Sequence, residues 1–114
     1  MHELSIAMSI VEIAEEYAEK NEARKVNEIE IEVGSLSGVV IEALDFAMSA
    51  AIKNTICEQA GWKIIDVQAK SVCPSTGKEF VVTGLYEPCP YCNEYGHELI
   101  QGRELRVKSL IVDD

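Results

Sequence analysis

A cysteine-bearing segment constrains this chain more than any other feature. The segment runs roughly from Cys73 to His97 and contains three of the four cysteines, all three prolines and three of the four tyrosines. Because it has little aliphatic material, we expect that it cannot build a hydrophobic core of its own. Within it, Cys89 and Cys92 form a C-x-x-C pair, the spacing at which two thiolates on a tight turn both reach a tetrahedral ion. The segment is therefore predicted to be an insert with a metal-binding turn.

A metal site of this kind usually needs a second pair of ligands. Cys73 begins the sequence Cys-Pro-Ser-Thr-Gly, which has the length and the terminal glycine of a second turn, but Thr76 stands where the second thiolate is expected. A threonine hydroxyl is a poor zinc ligand and is not assigned that role. His97 is the leading candidate for the fourth ligand, and Cys57 or a water molecule are the alternatives. The pattern predicts a zinc ribbon in which three of the four usual cysteine ligands are present.

Two other uses of the cysteines remain open. They can pack as small apolar side chains, although a proline-rich loop offers them little core. Cys89-Pro-Tyr-Cys92 also resembles the active-site pair of glutaredoxins, in which a thiolate of low pKa at a helix N-terminus exchanges disulfides. That pair works near the start of a βαβ unit, whereas only one strand is predicted after it here.

Two segments outside the insert have the apolar spacing of amphipathic helices. The first runs from Ser5, the predicted N-cap, to about Lys20, and leaves residues 1–4 as an exposed lead. Its apolar face is predicted to consist of Ile6, Ile10, Ile13 and Tyr17. The second follows the glycine-bounded turn at residues 34–38 and covers residues 41 to about 52.

Three further segments are predicted as strands. Residues 26–33 alternate Ile29, Ile31 and Val33 with a row of glutamates, Glu28, Glu30 and Glu32, which we interpret as a solvated face. Residues 62–69 are predicted to form the second strand and residues 104–112 the third. In the third strand, one face is predicted to consist of Leu105, Val107, Ser109 and Ile111. The sequence therefore predicts an α+β fold, with two helices packed on a small, about three-stranded sheet. Residues 1–72 plus 98–114 form the main domain, and residues 73–97 form the inserted zinc-ribbon-like module.

Composition narrows the class of protein. The 114 residues include 20 Asp and Glu against 10 Lys and Arg, a net charge of −10, so the chain lacks the basic surface that nucleic-acid binding requires. No segment approaches the roughly 20 apolar residues of a membrane helix, and the first residues lack the basic region of a secretory signal. We expect a cytoplasmic protein with reduced cysteines that binds neither nucleic acid nor membrane. Nothing resembles a nucleophile–base pair or a cofactor loop, so no enzymatic activity is expected.

The first three residues form a second candidate metal site. The α-amine of Met1, a deprotonated backbone amide and the His2 imidazole offer nitrogen donors, and the Glu3 carboxylate can add oxygen. Nitrogen-rich planar or tetragonal coordination is typical of Ni²⁺ or Cu²⁺. From spacing alone, a solvated His2 without a metal is the alternative.

Four motifs in the same order resemble the HypA/HybF family of hydrogenase maturation factors. They are Met-His-Glu-Leu-Ser at residues 1–5, Gly-Ser-Leu-Ser-Gly at 34–38, Pro-Cys-Pro-Tyr-Cys at 88–92 and Gly-Arg-Glu-Leu-Arg-Val-Lys-Ser at 102–109. The resemblance implies a nickel metallochaperone with an α/β nickel-binding domain and a zinc-ribbon module. It also implies two partners, a HypB-type GTPase and the large subunit of [NiFe]-hydrogenase, and in some members a role for urease. A zinc-ribbon adaptor without nickel delivery and a thiol oxidoreductase are the alternative functions.

The resemblance also assigns roles to residues. His2 and the Met1 amine become nickel ligands, and Glu3 a nearby ligand or tuning group. The cysteines at 73, 89 and 92 match three of the four zinc cysteines of the family, and the fourth falls at Thr76. Three explanations of this departure stay open: His97 or another group completes the site, zinc affinity has fallen, or packing shapes the insert of a divergent paralogue. The acidic N-terminal half is expected to contact the GTPase, and the protein to be a monomer or a homodimer.

Overall fold

The computed structural model describes residues 3–84, 87–95 and 98–113. In chain order, its elements are α1 (Glu3–Lys20), β1 (Lys25–Gly34), α2 (Ile41–Ala51), β2 (Gly61–Val67), β3 (Lys70–Val72), β4 (Glu79–Val81), β5 (Leu99–Gln101) and β6 (Leu105–Asp113). The strands form two three-stranded sheets, ordered β2-β1-β6 and β4-β3-β5. The α+β fold with two helices is confirmed. Within the described ranges, neither helix is long and apolar enough to cross a membrane.

β1 is the central strand of the larger sheet, and one of its faces is apolar. It pairs in parallel with β2 and antiparallel with β6. Ile29, Ile31 and Val33 are buried on this face, and burying each contributes roughly 1.5–3 kcal/mol. Side chains of both helices join the same core. On the opposite face, Glu32 pairs with Arg106, so part of the glutamate row is hydrogen-bonded to β6.

α1 begins earlier than predicted and buries a different face. Ser5 is not the N-cap, because the helix already includes residues 3 and 4. Ile13 and Tyr17, predicted to face the core, are about half exposed, at 49% and 46%. The buried face consists of Ile6, Ala7, Ile10, Val11, Ala14 and Ala18. The small alanine side chains let α1 approach its neighbours closely, so the alanines and not the larger side chains set which face turns inward.

The apolar face of β6 changes halfway along the strand because of a β-bulge. The pairing with β1 leaves Lys108 as an extra residue in β6. Val107 faces the core before the bulge, and Leu110 takes that side after it. Ser109 and Ile111, which strict alternation placed on the same face as Val107, are exposed. The predicted face is therefore wrong beyond the bulge.

The second sheet is formed by the cysteine segment, which contains β4, and by β3 and β5 on either side of it in the chain. β3 pairs antiparallel with both β4 and β5, and β2 ends at Val67 because the chain turns there into this sheet. The segment shares a small core with residues outside it. The buried cluster consists of Ala69, Cys73, Phe80, Val82 and Cys89, and Leu36 and Leu99 pack against it. β3 and β5 lie just outside the predicted limits of the insert, residues 73–97, and that division stays a prediction.

Two glycines let the backbone cross where the sheets meet. A β-carbon built on Gly34 would lie 2.1 Å from the carbonyl oxygen of Gly102. Gly102 has a φ of +120°, and its own β-carbon would lie 2.4 Å from Ala69. The Leu36 N–H donates to the Gly102 carbonyl (2.8 Å), and the Ser35 hydroxyl accepts from the Ala69 N–H (2.9 Å). Only glycine fits at both positions, which explains one glycine in each of two sequence motifs.

Replacing Gly34 with Ala is expected to lower the free energy of unfolding by about 2–3 kcal/mol, because the added β-carbon must displace the Gly102 backbone. Gly61→Ala is the matched control, since nothing lies within 4 Å of a β-carbon there. Its effect is expected to stay below about 1 kcal/mol. Urea denaturation measures both. An equal decrease in the free energy of unfolding in the two variants would contradict the close approach of the Gly34 and Gly102 backbones.

Candidate metal centre

The cysteine segment folds the same turn twice. We call residues 73–78 the first knuckle and residues 89–94 the second knuckle. In the first knuckle, the N–H of residue one donates to the carbonyl of residue six (2.8 Å), and the N–H of residue five donates to the carbonyl of residue one (2.8 Å). The same bonds in the second knuckle measure 2.8 and 2.7 Å. Residue five has a positive φ in both, Gly77 at 74° and Asn93 at 61°, a region that Gly and Asn tolerate best.

The knuckles bring three thiols together. The Sγ atoms of Cys73, Cys89 and Cys92 all lie within 4.8 Å of one another. A tetrahedral zinc ion with bonds of about 2.3 Å separates its sulfurs by roughly 3.8 Å, so the thiols match three corners of such a site. Cys73 and Cys89 are buried, and Cys92 is half-buried. In the part of the chain that the structure describes, no other His, Cys, Asp or Glu groups cluster in this way.

Thr76 occupies in the first knuckle the place that Cys92 occupies in the second. Each is residue four of its turn. The exposed Thr76 hydroxyl accepts a hydrogen bond from the Lys78 N–H (3.3 Å) and donates one to the Cys73 sulfur. The first knuckle is therefore complete in its backbone and lacks only the second sulfur.

The same hydroxyl changes the acidity of Cys73. Its hydrogen bond, helped by N–H groups of the knuckle and by the Cys89 thiol, lowers the pKa of Cys73 to about 6, although burial acts in the opposite direction. At Cys92, the Glu94 N–H lowers the pKa, but burial and the two neighbouring thiols outweigh it, so the pKa is raised. Negative charge in the metal-free protein is therefore favoured on Cys73 over Cys92, and a cation would be stabilised there.

An aromatic side chain inside the C-x-x-C pair braces the knuckles, and the sequence reasoning missed it. The Lys78 ammonium lies over the Tyr91 ring, 5.3 Å from its centroid. Tyr91 in turn meets Phe80 edge to face, with centroids 6.2 Å apart. Such contacts contribute about 0.5–1 kcal/mol each. The only sequence signal was an aromatic residue between two cysteines.

Cys57 does not join the three thiols. It is buried in the core of the larger sheet, where burial raises its pKa. Its N–H donates to the Thr55 hydroxyl (3.0 Å). The alternative in which Cys57 supplies the fourth ligand is therefore wrong.

The predicted sites at Met1, His2 and His97 lie outside the described residues. Glu3 is described: it is the first residue of α1, and its Oε2 accepts a hydrogen bond from the Val40 N–H (3.5 Å). Val40 is the N-cap of α2 and has no side-chain cap of its own. The Glu3 carboxylate therefore lies at the N-terminus of α2, the positive end of the helix dipole, and links the start of α1 to the start of α2.

The geometry does not favour the thiol oxidoreductase alternative. Glutaredoxin-type chemistry relies on a thiolate at a helix N-terminus. Cys89 and Cys92 lie instead in a turn between β4 and β5, and neither described helix adjoins them.

Replacing Thr76 with Val keeps the shape of the side chain and removes the hydroxyl. We expect the pKa of Cys73 in the metal-free protein to rise from about 6 toward the ordinary thiol value of 9.0. Thiolate absorbance in the ultraviolet, followed over a pH titration, measures the change. Thr83→Val, at an exposed threonine beside β4, should leave the first titration step in place. An unchanged first step in Thr76→Val would rule out the hydrogen bond as its cause.

Comparisons with known proteins agree with this architecture. The family model described as hydrogenase/urease nickel incorporation, metallochaperone, HypA matches residues 1–112. The hydrogenase maturation factor HypA of Geobacter metallireducens is 44% identical over 113 residues, covering 99% of this chain and 100% of the relative. That of Parabacteroides distasonis is 43% identical over 112 residues, covering 98% and 97%. The solution structure of the Ni metallochaperone HypA from Helicobacter pylori matches with a TM-score of 0.72 at 27% identity, covering 99% of this chain and 98% of that one. The resemblance seen in the sequence is thus confirmed, and the chain belongs to the HypA family.

Proposed function

We propose that this protein binds Ni²⁺ at its N-terminus in the cytoplasm and delivers it to a maturing nickel enzyme, [NiFe]-hydrogenase or urease. The observation that carries the proposal is the match of residues 1–112 to the HypA nickel-incorporation family. The Helicobacter pylori relative is itself described as a Ni metallochaperone. The protein acts as a carrier and not as an enzyme.

The nickel donors are the Met1 amine, a backbone amide and the His2 imidazole. The hydrogen bond between Glu3 and Val40 supports this arrangement, because it holds the residue next to His2 against the start of α2. Glu3 is then a nearby ligand or a residue that orients the donors. Terminal ligands suit a carrier, since a receiving protein can replace them one at a time without unfolding the domain.

The His2→Ala variant is expected to lose nickel binding, because one nitrogen donor is removed while the fold is retained. We expect the native protein to bind Ni²⁺ with a Kd in the micromolar range or tighter. His97→Ala is the matched control, since His97 is the other of the two histidines and should leave nickel binding unchanged. Isothermal titration with Ni²⁺ measures all three proteins. The same affinity in His2→Ala and native protein would remove the terminal site and favour the zinc-ribbon adaptor.

A tag placed before Met1 provides an independent test of the nickel site. It converts the terminal amine into an amide and so removes a donor without touching any side chain. We expect weaker nickel binding in the tagged protein, with recovery after the tag is cleaved to leave Met1 first. Undiminished binding with the tag in place would show that the amine is not a ligand.

The three thiols of the knuckles hold a structural Zn²⁺. Two observations support zinc binding by these thiols: the three Sγ atoms lie within 4.8 Å of one another, and the pKa of Cys73 is lowered. A bound ion would fasten the two knuckles together and add its binding free energy to the stability of the small sheet. His97 as the fourth ligand remains a prediction from the sequence.

Cys89→Ser is expected to weaken zinc binding by about tenfold or more, because a thiolate is replaced by a poor ligand. Cys57→Ser is the control: it removes the cysteine buried in the other core and should leave zinc binding unchanged. Competition with a chromophoric chelator, with elemental analysis of the purified proteins, measures both. One zinc ion per native chain is expected, and its absence would contradict the site.

A HypB-type GTPase and a hydrogenase large subunit are the proposed partners. α1 presents exposed glutamates, Glu12 and Glu16 among them, on the acidic N-terminal half. Such a surface attracts a basic partner and raises the rate of association, an effect that salt screens.

Reversing Glu12 and Glu16 to Lys is expected to slow association with the GTPase by about tenfold at low salt. Glu79→Lys with Glu98→Lys, at one exposed position in the other sheet and one next to it, is the matched control and should have little effect. Stopped-flow association at several salt concentrations measures the rates. Equal slowing by both pairs would place the contact elsewhere.

A further inference from the structure

The two knuckles match in backbone but differ in ligands. Both have the same pair of hydrogen bonds; Cys92 of the second knuckle belongs to the thiol cluster, and the Thr76 hydroxyl of the first is hydrogen-bonded to the Cys73 sulfur. Residue four is Cys92 in the second knuckle and Thr76 in the first. The cluster therefore offers three sulfur ligands to a tetrahedral metal ion. The fourth position, which we call the fourth corner, lies on the side of the first knuckle, whose backbone has the conformation that carries a cysteine at residue four of the second.

The Thr76 hydroxyl is a poor candidate for that fourth ligand. Its hydrogen is donated to the Cys73 sulfur, and its oxygen accepts the Lys78 N–H. The donor function and one of the two lone pairs of the hydroxyl are thus used within the knuckle. A neutral hydroxyl is in addition a weak donor for zinc compared with a thiolate.

Among the described residues, the Thr76 side of the cluster is the exposed one. Cys73 and Cys89 are fully buried, whereas Thr76 is exposed and Cys92 is half-buried. Tyr91, beside the cluster, is 51% exposed. Zinc sites that keep a position for an outside ligand have three protein donors and access to solvent, as this cluster does.

We propose that a metal ion held by Cys73, Cys89 and Cys92 keeps a fourth coordination position, on the Thr76 side, that a small thiol from solution fills reversibly. A soft thiolate is the donor class that the cysteine-shaped corner and the thiolate-rich site favour. On binding, the thiol releases its proton to the buffer and forms one metal–sulfur bond, and nothing is oxidised or reduced. The inference rests on the metal site proposed for the cysteines, replaces the sequence-based prediction that His97 fills the fourth position, and is independent of nickel binding at the N-terminus.

The test uses the full chain loaded with Co²⁺, whose thiolate charge-transfer absorption reports the number of sulfur ligands. Titration of the native protein with mercaptoethanol is expected to raise this absorption saturably by about one third, as three thiolates become four. Thr76→Cys should start at the four-thiolate intensity and show no response. Thr76→Ala should start at the native intensity and respond as the native protein does, because the hydroxyl is not a ligand.

Four results would overturn the proposal. The first is cobalt binding by the native protein with no response to thiol; a response that then appears in His97→Ala would assign the corner to the imidazole. The second is a response in Thr76→Cys equal to that of the native protein, and the third is an altered starting spectrum in Thr76→Ala. The fourth is a native protein that binds no cobalt, which would also remove the cysteine metal site. None of these results bears on nickel binding, which is measured at His2.

Discussion

The close approach of two backbone segments at Gly34 and Gly102 determines how the two sheets of this molecule are joined. Gly34 ends the central strand of the larger sheet, and Gly102 follows the last strand of the smaller one. No side chain fits between them, so hydrogen bonds of neighbouring residues can close directly over the crossing. The first knuckle begins shortly after Ala69, which packs against Gly102. The thiol cluster is therefore built out from a closely packed, hydrogen-bonded junction and not from a free loop.

The elements with a strong local pattern could be predicted from the sequence. The alternation around Ile29 and Ile31 identified β1, and the spacing of Cys89 and Cys92 identified a turn that brings their thiols together. Local patterns are sufficient there because each side chain has one obvious environment. The start of α1 was harder, since Ser5 is a good N-cap in isolation but a hydrogen bond from another segment reaches the helix at Glu3.

Other features depend on contacts that no local pattern records. After the bulge at Lys108, the side chains of β6 alternate in the opposite sense, and no residue pattern in the sequence indicates the bulge. Ile13 and Tyr17 were expected inside, but packing of the helix on its alanines leaves them half exposed. The role of Thr76 is of the same kind. The sequence showed that a sulfur is missing, and only the structure shows that the knuckle is otherwise complete and that the hydroxyl bonds to Cys73.

The two proposed metal sites differ in chemistry as well as in place, and this separation is what a carrier with a structural ion requires. Nitrogen and oxygen donors at the chain terminus suit Ni²⁺, and buried thiolates suit Zn²⁺. X-ray absorption at the nickel edge, on protein carrying one nickel and one zinc per chain, tests this separation most directly. We predict a nickel ion surrounded by nitrogen and oxygen alone, including one imidazole that is lost in His2→Ala. Sulfur in the coordination shell of the nickel would contradict it, because the nickel would then be bound by the cysteines.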